Sequence, residues 1–207
     1  MGSMKICYYS LILPLVCIIV FLFQTFIPGF TEAFLLNEKA FIEVWRFVTA
    51  IFLHGGLGHL LYNLFALTLF GFILEKTIGS KKFLAIFFIS GIFASLVSVN
   101  FYSSSLGASG AIMGIIGTLA LLKPLMMVWA FGMILPMFLV AIIWIVGDIF
   151  GIFFPTNVGN IAHLSGMAIG IIFGIYFRLK KRKKSEDGIE FKIPEYYLED
   201  WEDRYMG

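Results

Sequence analysis

Residues 107–122 read Gly107-Ala108-Ser109-Gly110-Ala111-Ile112-Met113-Gly114-Ile115-Ile116-Gly117-Thr118-Leu119-Ala120-Leu121-Leu122. The apolar run from Ala108 to Leu122 is about 15 residues, or about 22 Å of helix, against a hydrocarbon core about 30 Å thick. It is too short to cross a bilayer alone. Such a helix must sit inside a bundle, with the preceding loop, Asn100 to Gly107, dipping below the membrane surface where protein or water satisfies its backbone groups. The first residues of the helix, Ser109 among them, are then buried beneath that surface.

Five further apolar runs surround it: Ile6–Ile27, Leu60–Leu74, Phe83–Val99, Leu125–Val146 and Ile161–Phe177. With Ala108–Leu122 they predict an all-α polytopic membrane protein, a bundle of six transmembrane helices. Composition agrees, since 60% of the 207 residues are hydrophobic and only 14% charged, against roughly 25% in soluble domains. The first run follows a lysine, but no small-residue cleavage site succeeds it at Phe26-Ile27-Pro28, so it is read as retained. A net charge of +2, without aromatic residues interleaved among the basic ones, argues against nucleic acid as a partner. Cys7 and Cys17 both fall in the first run and offer neither a disulfide framework nor metal-ligand spacing.

An even number of spans puts both termini on one side. Lys5, Lys76, Lys81, Lys82, Lys123 and the run from Arg178 to Lys184 share that side, and the other has only Lys39 and Arg46. The positive-inside rule then makes both termini cytoplasmic in a multi-pass cell-membrane protein, with the loop 28–58 outside. The expected organisation is a membrane domain over residues 1–178, including that outer loop, followed by a basic-then-acidic cytoplasmic tail over 179–207.

Polar side chains at membrane depth are costly, so each is a candidate for function, weighed against simple helix-to-helix bonding. Ser109 begins the fourth helix and His163 the sixth, while His59 and Asn63 lie one turn apart at the start of the second. In this topology all four occupy the outer ends of their helices. Gly110 and Gly114 on the fourth helix, and Gly166, Gly170 and Gly174 on the sixth, form small stripes that let backbones approach closely. Packing the stripes together brings the His163 imidazole to Ser109. A hydroxyl needs an adjacent base to become a nucleophile, and histidine has the pKa for that task near neutrality. A lone serine in such a helix is most often a packing residue; the joint pattern is what points to chemistry.

The pattern resembles the rhomboid proteases in four motifs, in order, between about Trp45 and Phe177: Trp45-Arg46 in the first loop; His54, His59 and Asn63 entering the second helix; Gly107-Ala108-Ser109-Gly110 with Gly114 on the fourth; Ala162-His163 with Gly166 and Gly170 on the sixth. The resemblance implies an intramembrane serine endopeptidase that cuts transmembrane protein substrates near the outer membrane face, with Ser109 as nucleophile and His163 as base. It implies an oxyanion hole from the Ser109 N–H, His59 and Asn63, with Trp45, Arg46 and His54 bracing the first loop. No metal or cofactor is expected. Asp148, placed beyond the fifth span, is set aside as a third member, leaving a dyad. Met113 departs from the family, which often has an aromatic residue there to pack on the catalytic imidazole. Tyr62 on the second helix and Trp144 on the fifth are candidates for a lateral gate, with Pro136 weakening the fifth helix from inside.

The alternative in the same superfamily is a catalytically silent binding or quality-control protein, which would be expected to lack Ser109 or His163. A zinc protease is disfavoured because His54 to His59 is not an HExxH spacing, and a transporter because there is no inverted repeat and no acid within the expected spans.

Overall fold

The structure is a computed structural model that describes residues 6–154, 158–186, 201 and 203–206. Its chain forms α1 (Tyr9–Phe26), α2 (Phe30–Phe34), α3 (Arg46–Thr49), α4 (Leu57–Ile78), α5 (Ser80–Ser98), α6 (Ser109–Leu122), a hairpin of β1 (Met127–Ala130) and β2 (Met133–Pro136), α7 (Met137–Ile152) and α8 (Asn160–Glu186). Among the described residues, α1, α4, α5 and the Asn160–Arg182 part of α8 are long and apolar enough to cross a membrane, and α6 and α7 are shorter apolar helices. The molecule is an all-α polytopic membrane protein. Lys5 and most of the tail expected over 179–207 lie outside the described residues.

The core is built around α6. Every residue from Gly110 to Ala120 is buried, as a helix apolar on all faces requires. Lipid tails are as apolar as leucine, so helices in a bilayer associate by close packing and by hydrogen bonds between them. The glycines supply the close packing. A Cβ on Gly166 would overlap the Gly110 carbonyl, one on Gly170 the Gly114 carbonyl, and one on Gly114 the Ser90 side chain of α5. Thr118 Oγ1 adds the hydrogen bond, lying 2.9 Å from the Gly114 carbonyl of its own helix and 3.0 Å from that of Gly170 on α8.

Two polar anchors fix the periphery. At the end of α4 remote from Ser109, the Glu75 carboxylate accepts from the Tyr9 N–H (3.0 Å), the Ser10 N–H (2.9 Å), the Ser10 hydroxyl (2.7 Å) and the Ser80 hydroxyl (2.6 Å). It therefore satisfies the free N–H groups at the start of α1 with a negative charge and ties that helix to α4 and α5. At the other end, the buried Arg46 guanidinium pairs with Glu43 and donates to the carbonyls of Glu32 (2.9 Å) and Leu35 (2.7 Å), stitching the first loop together. Trp45 stays half-exposed.

The expected fifth helix, Leu125–Val146, is corrected. Its first half is the antiparallel hairpin, with Met127 opposite Pro136 and Ala130 opposite Met133. Phe131 (φ 54) and Gly132 (φ 79) make its two-residue turn, the arrangement whose twist matches paired strands. Pro136 is not inside the helix; extended at φ −68, ψ 144, it precedes the first residue of α7. A proline has no N–H to give an interior turn but is tolerated at a helix start. Shifted this way, α7 continues to Ile152 and Asp148 falls within it. The sixth span also differs, since α8 runs on through Arg178 to Glu186 rather than ending at Phe177. Lysine and arginine are good helix formers, favoured near a C-terminus.

Candidate active site

Ser109 is the first residue of α6, so its N–H is among those left without an intrahelical acceptor and faces the positive end of the helix dipole. Gly107, two residues earlier, has φ +126, a left-handed conformation that favours glycine, and a Cβ there would meet the His59 ring at 2.8 Å. The same point lies 2.9 Å from His59 Nε2 and 3.8 Å from Ser109 Oγ. The missing side chain is thus what lets the imidazole of α4 lie beside the start of α6. The Gly107 N–H is held by the Ala50 carbonyl at 2.9 Å. The Gly55 N–H donates to His59 Nδ1 over a long 3.4 Å, which assigns the ring hydrogen to Nε2, on the Ser109 side. One turn on, the Asn63 amide donates to the His59 carbonyl at 2.8 Å and has a second N–H left over.

His59, Asn63, Ser109 and His163 all line one cavity of about 1000 Å³, together with Tyr62, Met113 and Trp144. Ser109 makes no hydrogen bond to His163 here; catalytic hydrogen bonds often tighten only around a bound substrate. His163, buried on α8, directs Nδ1 at Asp148 Oδ1, 3.0 Å away on α7. This corrects the expected placement of Asp148 beyond the fifth span. The ring flanking the imidazole is Trp144, edge-on at 6.0 Å. Met113 is buried in the cavity wall, so α7 contributes the aromatic neighbour that α6 lacks.

Trp144 also meets Tyr62 of α4 at 6.1 Å and Phe131 of the hairpin turn at 5.5 Å. The two gate candidates therefore touch across the space between α4 and α7, and the hairpin joins them, which the sequence did not suggest. His54 stays out of the cavity wall. Its N–H and carbonyl are both bonded to the Gln24 side chain of α1 (2.9 and 3.1 Å), and its ring stands edge-on to His59 at 5.2 Å. Burial, and then the neighbouring His59, push the His54 pKa down to about 4, against a smaller upward effect of the Phe52 carbonyl. It is neutral at physiological pH. Of the supporting residues Gly107, Gln24 and Ala50, only the glycine leaves a signal in the sequence, as part of the motif that holds Ser109.

Residues 42–180, well over half of the chain, match the family model described as the rhomboid domain. The chain is 33% identical over 147 residues to RHOMBOID-like protein 6, mitochondrial, of Arabidopsis thaliana, covering 70% of this chain and 47% of that one. It is 34% identical over 140 residues to RHOMBOID-like protein 1 of the same plant, covering 67% and 36%. It is 28% identical over 184 residues to the rhomboid protease GlpG of Haemophilus influenzae, covering 85% and 93%. This chain thus spans about half or less of the plant relatives' length and most of the bacterial one. Ser109, His163 and the glycine stripes that join their helices all fall within the matched domain, and the chain belongs to the rhomboid family.

Proposed function

We propose that this chain is an intramembrane serine endopeptidase acting on transmembrane proteins near the outer membrane face. The observation that carries this reading is the cavity in which Ser109, half-buried at the start of α6, faces the same space as His163 and two side-chain donors. The relatives named as rhomboid proteases support it. Ser109 Oγ attacks the scissile carbonyl while His163 Nε2 takes its proton. The oxyanion is held by the Ser109 N–H, His59 Nε2–H and the spare Asn63 amide hydrogen. His163 then protonates the leaving amine, and water enters to hydrolyse the acyl-enzyme.

The substrate is a membrane-spanning helix that reaches the cavity from the bilayer between α4 and α7, past Tyr62 and Trp144. With Lys76, Lys81, Lys82, Lys123 and the Arg178–Lys184 run at the end remote from Ser109, both termini are cytoplasmic and cleavage occurs in the outer leaflet.

The test is to incubate purified wild-type, Ser109→Ala and His163→Ala proteins with a fluorophosphonate probe and a single-span substrate. Labelling and cleavage by wild type alone are expected. Cleavage retained by Ser109→Ala would remove the nucleophile, and a folded wild type that neither labels nor cleaves would favour the silent binding protein.

A further inference from the structure

The structure assigns Asp148 as a positioning residue that orients the His163 imidazole, turning the expected dyad into a triad whose third member lies on the gate helix. This rests on the serine-endopeptidase reading. Asp148 is the lone acid in Met137–Ile152, and it is 4% exposed, with His163 6% exposed. A carboxylate at membrane depth is expensive and calls for a partner. Its partner here is Nδ1 of the proposed base, at 3.0 Å.

The choice of nitrogen gives the contact its consequence. An ionised carboxylate only accepts hydrogen bonds, so Nδ1 carries the ring hydrogen and Nε2 holds the lone pair on the cavity side. That is the tautomer a general base requires, and the negative charge stabilises the imidazolium formed when Ser109 loses its proton. The other polar groups lining the cavity are serines, Ser109 on α6 among them, the tyrosines Tyr62 and Tyr102, Trp144 on α7, and His59 and Asn63 on α4. None of these is a carboxylate. Trp144 precedes Asp148 by four residues, one turn away on the same face of α7, and flanks the same imidazole. A single helix therefore both closes the lateral gap and aims the base.

The competing role is a plain clamp between α7 and α8, and Asp148→Asn separates the two. Asparagine is nearly isosteric and can still hydrogen-bond, but it brings no charge and can offer Nδ1 an N–H instead of an acceptor. Turnover is measured per active site, counted by fluorophosphonate titration, so that unfolded protein does not enter. Positioning predicts a kcat lower by roughly 10²- to 10⁴-fold, KM within about twofold, and a parallel drop in labelling rate. A clamp predicts a lower melting temperature with kcat per titrated site unchanged. A kcat loss of tenfold or more with KM unchanged upholds the proposal, and any smaller loss overturns it. Asp148→Ala, measured the same way, must fall at least as far as Asp148→Asn, and a milder defect also overturns it. Should wild type itself fail to label or cleave, the endopeptidase reading has failed, a result distinct from an active wild type matched by an active Asp148→Asn.

Discussion

At the scale of single residues, the proposed chemistry is divided between groups that act and groups that merely let them meet. His59 and Asn63 sit one turn apart on α4, and their donors matter only once an oxyanion exists. Removing one preorganised donor typically costs ~10²–10³ in rate, so Asn63→Ala is expected to be slow but measurable, with kcat lowered and KM little changed. Steady-state cleavage of a single-span peptide checks this, and wild-type turnover would take Asn63 out of the machinery. Asn63 is the better test because loss of His59 also disturbs its contacts with Gly55 and His54. These acting residues were legible because polar groups are scarce in a chain with only three histidines. The enabling residues were not. Nothing local to Gly107 says that its empty Cβ position is where the His59 ring lies, since that depends on how α4 meets α6.

At the scale of elements, the misread stretch was Leu125–Val146. An unbroken apolar run cannot distinguish a buried strand from a buried helix by periodicity, and here it holds both. The punctuation was present, in Gly132 at the turn and Pro136 at the start of α7, but a proline within an apolar run also fits a kinked helix. The error carried over to Asp148, which a helix ending at Val146 leaves outside. The hairpin adds Phe131 to one side of Trp144 while Tyr62 holds the other. Helix α7 buries only Met137, Val140, Ala141 and Asp148, so little else fixes it. An aromatic pair contributes about 0.5–1.5 kcal/mol, or roughly 2- to 10-fold in a closed-to-open equilibrium. Tyr62→Ala and Phe131→Ala should therefore each raise cleavage of a transmembrane substrate by such a factor while probe labelling of Ser109 barely changes. Trp144→Ala is a poorer test, because that ring also flanks His163. Unchanged or reduced proteolysis in both variants would mean that these rings do not restrain α7.

At the scale of the whole molecule, the two ends of the bundle are specialised separately: one holds the cavity, and the other holds α1 in place through Glu75. The glycine stripes connecting them could be read from their spacing of four, and so could the order of the apolar helices. The clasp at Glu75 could not, because Tyr9 and Ser10, which give three of its four hydrogen bonds, are distant in sequence and two of those three come from backbone N–H groups. Glu75→Ala would leave four donors without that acceptor, each costing about 1–3 kcal/mol when buried and unmet, with relief where water reaches them. A loss of a few kcal/mol is expected, visible as a markedly lower melting temperature in detergent. Glu75→Gln, which keeps one acceptor oxygen, should fall between it and wild type. Asn63 and Glu75 are twelve positions apart on α4, about 18 Å along the helix, beyond the range at which substitutions usually couple. Turnover per titrated active site should therefore stay at the wild-type value in both Glu75 variants, and their destabilisation should leave the kcat defect of Asn63→Ala unaltered in the double variant. If kcat per site fell in step with the melting temperature, the docking of α1 would have to be counted among the determinants of active-site geometry, and the two ends would not be independent.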